Sequence, residues 1–497
     1  MTIPRPEYPR PQCVRQNWLC LNGEWQFETD PGDSGLERGL VERELHDRIL
    51  VPFCPESSLS GIGETDFLNA VWYRRTVTIP ADWAGQRVLL HFQAVDHDAT
   101  VWVNGQELGR HRGGFTPFSV ELPGEVSGQE VTIVVRARDY NRIPQARGKQ
   151  AQTYDNFECV YTRTTGIWQT VWLEPLPVVA LQRPRLTPDV ANGLIRLIQP
   201  ISAHRAGLTL RASLRDRDDI VCTASCKTGW DLSPQLDLPI PEERRHLWSP
   251  EHPHLYDLEI QLLDGETVID QISSYAGLRC VSIEGQAITL NGQRLFQRLV
   301  LDQGYYPDGI MTAPSDEALI RDIELGMAAG FNGARLHQKV FEERFLYHAD
   351  RMGYLVWGEF ADWGCSGYGP LEDHQQPGAT YLTQWLEALE RDYSHPSIIG
   401  WCPLNETWQP IADRITILDD VTRAMFLATK AFDQTRPVLD ASGYSHRVPE
   451  ADVYDSHDYE QDPVIFAVTH AHGEEDRSFV NDHQGRAISV PYRNQPY

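Results

Sequence analysis

The stretch that decides the fold runs from Ala334 to Trp401. It opens with Ala334-Arg335-Leu336-His337, a run of strand length, followed by a segment of helical period from Glu342 to Met352. Tyr354-Leu355-Val356-Trp357 is a second strand-length run, Tyr381 to Tyr393 a second helical segment, and Ile398-Ile399-Gly400-Trp401 a third run. Short apolar runs alternating with helices are the pattern of βα units around a parallel sheet. Working outward, Leu295 to Leu301 supplies an earlier strand, and Ser315-Asp316-Glu317 caps the helix after it with an acidic first turn. Downstream, a long helix from Ile415 to Phe432 leads to a fifth strand at Val438-Leu439-Asp440 and a sixth at Asp452-Val453-Tyr454-Asp455. A closed (β/α)₈ barrel takes about 250 residues. The 217 residues from position 281 onward hold about six of the eight units, so an incomplete TIM barrel is expected over 281–497.

The residues before the barrel read as all-β. Alternating runs recur at Val88 to Phe92, Ala99 to Val103 and Val131 to Val135, and Asn104-Gly105 is a strong hairpin signal. These predict a jelly-roll β-sandwich over residues 1–177. A second set of short strands, including Gly207 to Leu214 and Tyr256 to Leu263, predicts an immunoglobulin-like β-sandwich over 178–280. The expected fold is therefore multidomain, β followed by α/β.

Composition narrows the chemistry. Of 497 residues, 44 are Lys or Arg and 70 are Asp or Glu, for a net charge of −26. Such a surface repels phosphate backbones and anionic lipid, which argues against nucleic-acid and membrane partners. Nine scattered cysteines form no metal-ligand pattern, and with no apolar leader at Met1 to Pro6 they read as reduced thiols in a cytoplasm.

In a (β/α)₈ barrel the chemistry sits where strands run into their following loops. The polar residues there are Asp302, Arg335, His337, Glu359, Asn405, Glu406, Asp440, His457 and Tyr459. Carboxylates, an amide and imidazoles without a Cys/His metal set or a phosphate loop suit acid-assisted hydrolysis of a neutral polar substrate. Plainer readings stand beside this one. Glu406 can be an acidic residue near a helix start, Arg335 with Glu359 a structural ion pair, and His337 a satisfied core histidine. His457 and Tyr459 flank Asp458 on what reads equally as a solvated loop. Gln150 to Cys159, with Tyr154 and Phe157, is a binding loop or a plain connection.

Several ordered motifs resemble glycoside hydrolase family 2, the group of β-galactosidases, β-glucuronidases and β-mannosidases. They include Leu21-Asn22-Gly23-Glu24-Trp25-Gln26-Phe27, Val71-Trp72-Tyr73-Arg74-Arg75 and Val101-Trp102-Val103-Asn104-Gly105. Gly113-Gly114-Phe115-Thr116-Pro117-Phe118, Thr165-Gly166-Ile167-Trp168-Gln169 and Ile288-Thr289-Leu290-Asn291-Gly292-Gln293 continue the series. Gly333 to His337 is similar to the family's "NxxRxxH", one residue shorter between Arg and His; Val356 to Glu359 is similar to its "VxxE" strand end. Pro403-Leu404-Asn405-Glu406 is similar to its "NE" motif after strand four. The resemblance implies retaining exo-hydrolysis of a β-glycoside, β-galactosidase-like, with Glu406 as acid/base and Asn405 gripping the sugar 2-hydroxyl. Arg335, His337, Glu359, Asp302, His457 and Tyr459 are expected to contact the substrate, no cofactor is expected, and a homo-oligomer is expected to be possible; a bound metal is possible in the family, but the residues here show none. The family's nucleophile, a Glu at the end of strand seven, is expected to be missing, as if the chain were a fragment cut just before it. A non-catalytic carbohydrate-binding protein and a structural scaffold are the alternatives.

Overall fold

The computed structural model describes residues 3–141, 143–156, 159–362, 377–406, 410–471 and 479–497; Phe157 of the expected loop lies outside them. Two antiparallel sheets form first. One has six strands in the spatial order Asp47–Val51, Gly23–Thr29, Ala70–Thr78, Glu130–Arg138, Asp98–Val103, Gln106–Arg112. The other runs Leu19–Cys20, Val171–Leu176, Arg87–Phe92, Phe118–Glu121. Period-2 alternation turns Trp25, Phe27, Tyr73, Ile133 and Val135 toward Leu90, Phe92 and Leu173 in one sealed core. The hairpin at Asn104-Gly105 has φ of 50° and 79°, the left-handed pair a two-residue turn requires.

A second sandwich follows. Its sheets are Asp219–Lys227, Leu208–Asp216, Tyr256–Asp264, Thr267–Ala276 and Arg185–Asp189, Leu194–Ile198, Gln235–Pro239. Leu210, Leu214, Ile260 and Ile272 of the first meet Ile195, Leu197 and Leu238 of the second. Cys222 and Cys226 share a strand and are both free thiols.

The barrel portion carries β1 (Leu299–Asp302), α1 (Asp316–Ala328), β2 (Gly333–Leu336), α2 (Glu343–Met352), β3 (Leu355–Glu359), α3 (Ala379–Asp392), β4 (Ile398–Cys402), α4 (Ile417–Phe432) and α5 (Pro463–His470). The four strands are parallel and adjacent in sequence order. β3 and β4 are buried at every position, as parallel strands covered on both faces must be. Ser315 caps α1 by accepting from the Ala318 amide, and Thr416 with Asp419 forms a full capping box on α4. Two glycines let β3 and β4 close. A Cβ on Gly400 would sit 2.7 Å from the Trp357 ring, and one on Gly358 2.6 Å from the Trp401 ring.

The expected fifth and sixth strands are the correction. Val438 makes only an isolated parallel bridge to Trp401, and Ser442 one to Asn405. Residues 452–455 form no ladder. The path is extended and still pairs with β4, the Trp401 amide donating to the Pro437 carbonyl at 3.1 Å and the Leu439 amide to the Trp401 carbonyl at 3.0 Å, but on the far side Asp452 accepts the Val438 amide, and in the loop beyond Asp440 accepts those of Arg447 and Val448. On that side ladder geometry gives way to local polar pairing.

The first sandwich and the barrel are fused. Cys54, Ala94, Phe115, Ala146 and Trp168 sit in the same apolar cluster as Leu336, Phe345, Val356, Trp385 and Trp401. Tyr161 stacks on Tyr305 at 4.1 Å, and the Gly148 amide donates to the Ala361 carbonyl at 2.9 Å. No helix among the described residues is long and apolar enough to cross a membrane.

Candidate active site

The C-terminal ends of β2, β3 and β4 lie side by side, and their polar side chains converge. Arg335 on β2 and Glu359 at the end of β3 form an ion pair through Nε and Oε2. The Glu359 carboxylate also accepts the Gln338 amide at 2.8 Å and lies 3.3 Å from His337 Nδ1. Burial works to raise the Glu359 pKa, but Arg335 and His337 outweigh it and hold the carboxyl below its usual range. Burial lowers the His337 pKa against the pull of Glu359, and Lys149, reaching over from the first sandwich, adds to the lowering. The ion pair is thus nearly dry and fully bonded. It also fixes the guanidinium so that Arg335 Nη2 donates to Asn405 Oδ1.

Asn405 is wholly buried just past β4, with its amide donating to Asp362 at 3.2 Å. The next residue, Glu406, has φ of 46° and donates its amide to the Ser442 carbonyl at 2.9 Å. A non-glycine residue in the left-handed region costs about 1–3 kcal/mol and persists only where its surroundings dictate it. Here the bend throws the Glu406 side chain toward the loop after residue 455. Glu406 Oε1 lies 2.7 Å from His457 Nδ1 and accepts the Tyr459 hydroxyl at 2.6 Å. Arg335 Nη1 stands 3.4 Å from His457 Nε2, closing the ring of contacts.

Six of the residues singled out in the sequence therefore share one hydrogen-bonded cluster: Arg335, Glu359, Asn405, Glu406, His457 and Tyr459. His337 borders it through Glu359. Asp302 is not brought in. It pairs in register with Leu336, so it faces the helix layer, where its carboxylate accepts the Gly304 amide at 3.0 Å. Burial there pushes its pKa up to about 6.

Three residues that sequence reading passed over complete the network. Asp455 accepts the Ser442 hydroxyl at 2.6 Å and the Gly443 amide at 2.8 Å. His446 is clamped between Asp440 at 2.7 Å and Asp455, whose carboxylate is 3.3 Å away and whose carbonyl is 2.8 Å away. Burial alone would lower the His446 pKa; the two carboxylates raise it to about 10. Asp455 is held well below the usual carboxylate range, burial being outweighed by His446. The signal was present in Ser442 and Asp455, each at the end of an extended run, but their types carried no chemistry of their own. Among the described residues no group of three or more His, Cys, Asp and Glu side chains is arranged to hold a metal.

Comparison with known proteins matches the chain to a family. Residues 64–177 match the model for the glycosyl hydrolases family 2 sugar binding domain, 199–279 that for glycosyl hydrolases family 2, and 281–470 that for the family's TIM barrel domain. The chain is 28% identical to a β-glucuronidase of Paenibacillus borealis over 78% of this chain and 67% of that protein. It is 26% identical to the β-glucuronidase of Rattus norvegicus over 84% and 67%, and 24% identical to a β-galactosidase of Thermoanaerobacter pseudethanolicus over 68% and 45%. It thus spans about two thirds of the length of these β-glucuronidases and less than half of the β-galactosidase. The apo β-glucuronidase of Ruminococcus gnavus superposes with a TM-score of 0.73 at 21% identity, over 90% of this chain and 77% of that one, which shows a shared fold. With two sandwiches, a barrel and a glutamate after its fourth strand, and with three successive models of one family matched in order, the chain belongs to family 2 of the glycosyl hydrolases.

Proposed function

We propose that the chain bears the acid/base half of a retaining β-glucuronidase site, with Glu406 as the proton donor to the departing glycosidic oxygen. The observation that carries this is the setting of Glu406: a carboxyl held by His457 and Tyr459 beside an amide fixed by Arg335. β-Glucuronidases among the relatives favour a glucuronide over the galactoside expected from the sequence. Neither the carbohydrate-binding nor the scaffold alternative draws support from them. Asn405 would grip a sugar hydroxyl, and Arg335, made rigid by Glu359, would keep that grip aligned as charge develops.

Retention also needs a second carboxylate about 5–5.5 Å from the first. The described carboxylates that the network touches besides Glu406 are each engaged: Glu359 by Arg335 and Gln338, Asp362 by the Asn405 amide, Asp440 by His446, Arg447 and Val448, and Asp455 by Ser442, Gly443 and His446. The reading therefore gives the attack to a different carboxylate. The test is hydrolysis of 4-nitrophenyl β-glucuronide against the β-galactoside, with thermal shift by glucuronate and galactose in parallel. Glucuronide turnover or a glucuronate-specific shift, with Glu406→Gln lowering turnover by about 10²–10⁴, supports the reading. A preference for galactoside or galactose, or no response to either sugar, refutes it. A homo-oligomer and a cytoplasmic site of action remain expectations for sedimentation and fractionation to check.

A further inference from the structure

The connection over residues 139–165 leaves the first sandwich, touches the barrel and returns. Near its middle stands Gly148, with φ of 59°. Polar side chains tie this strap to the sandwich on both sides of the glycine. Gln145 Nε2 donates to Asp139 Oδ1 at 2.6 Å, Arg147 Nη1 donates to the same oxygen at 3.3 Å, and Gln150 Nε2 donates to Asp96 Oδ2 at 2.8 Å. Gln150 Oε1 in turn accepts the Thr164 amide at 2.8 Å. On the barrel side, Gly148 meets the ends of two neighbouring strands. Its amide donates to the carbonyl of Ala361, two residues past Glu359, at 2.9 Å. Its α-carbon lies so close to Gln338, just past β2, that a Cβ would stand 2.1 Å from the Gln338 carbonyl oxygen. That oxygen is backbone and cannot swing aside, so the close approach and the left-handed φ both call for glycine.

From these two contacts, two routes lead to Asn405. The Gln338 amide donates to Glu359 Oε1 at 2.8 Å, Glu359 holds Arg335, and Arg335 Nη2 donates to Asn405 Oδ1. The Ala361 carbonyl belongs to the peptide that leads into Asp362, whose carboxylate accepts the Asn405 amide at 3.2 Å. One route ends on the side chain of Asn405 and the other on its backbone. We infer that Gly148 is a positioning residue for the candidate active site: it seats the strap of the first sandwich on both strand ends and so fixes Asn405, beside the acid, from outside the barrel. The inference rests on the reading of Asn405 and Glu406 as groups that face the substrate, and it extends that site to a second domain.

The test is hydrogen exchange by mass spectrometry on the full-length protein carrying Gly148→Ala. Peptides holding the Gln338 and Asn405 amides should exchange faster by at least about tenfold, while those from residues 99–103 and 131–135 of the sandwich core keep the wild-type rate. Unchanged exchange at Gln338 and Asn405, or a rise of equal size through the sandwich, overturns the inference. Gln150→Ala loosens the strap without adding an atom and should give the same local pattern; it decides the matter where Gly148→Ala does not fold. Turnover of 4-nitrophenyl β-glucuronide supplies the second readout. Gly148→Ala should lower kcat by about 10²-fold. In an Asn405→Ala background it should lower kcat by less than about threefold, because both changes then act through one contact. Falls that multiply mark a structural tether and overturn the positioning role. Exchange is read without substrate, so a protein that cleaves no glucuronide refutes the glucuronidase reading while its amides still decide the strap.

Discussion

Replacing His446 by Gln removes a cation that two buried carboxylates share. A folded-state pKa of about 10, against an ordinary value of 6.5, marks a raised group, so its contribution is fully present below about pH 6.5 and is lost as pH climbs toward 10. At about 1.36 kcal/mol per unit, and in line with the cost of breaking a buried charge pair, the loss in His446→Gln should be roughly 3–5 kcal/mol at pH 6. For a cooperative body of about 200 residues that is a melting shift of roughly 6–20 °C. The assay is differential scanning calorimetry of both proteins from pH 6 to 10, taking the difference at each pH so that other titrating groups cancel. The gap should be widest at pH 6 and shrink toward pH 10. A gap below about 1 kcal/mol at pH 6, or one that does not vary with pH, refutes the clamped-imidazolium account.

Arg335→Met strands the buried Glu359 charge and frees Asn405, so it should cost about 3–5 kcal/mol in urea melts. Adding Glu359→Gln should recover much of that stability but none of the activity, separating the pair's structural role from its hold on Asn405. Gly400→Ala places a methyl 2.7 Å from the Trp357 ring and should cost about 1–3 kcal/mol by overpacking. Asp302→Asn should leave turnover unchanged, because the carboxylate faces the helix layer. With its pKa pushed up to about 6 from 3.8, the charged form is the disfavoured one. Relative to wild type the variant should gain about 1–2 kcal/mol, after allowance for solvent screening, as pH rises from about 4 to 6, and keep that gain above 6, read by thermal melts at pH 4 and pH 8.

The βα alternation from Leu295 to Phe432 was legible because buried parallel strands are written as unbroken apolar runs, and β3 and β4 are that kind of run. Past Phe432 the pattern misled. Val438 and Val453 look like strand centres, but Asp452 captures the Val438 amide and the Tyr454 amide goes to the Pro496 carbonyl, pairings that hydropathy does not record. The strand-end rule found Arg335, Glu359, Asn405 and Glu406 because those positions follow from strand boundaries alone. It also brought in Asp302, since a shift of one residue along a strand turns a side chain to the opposite face. Ser442, His446 and Asp455 escaped notice because their significance lies in whom they touch. The sugar was not legible, because nothing in the residues quoted distinguishes a C6 alcohol from a C6 carboxylate.

The shared apolar cluster between the first sandwich and the barrel has a consequence for how the molecule is made. Chains emerge from the ribosome with the N-terminal part first, so Trp168, Phe115 and Ala146 are synthesised long before the barrel strands they will cover. The sandwich, finished early, presents an apolar face that waits for its partner, and β2 to β4 then close against a wall already standing. The order in which the gene is read thus runs with the order of assembly, and a circular permutant that delivers the barrel first should fold more slowly and lose more chains to aggregation than the natural order does.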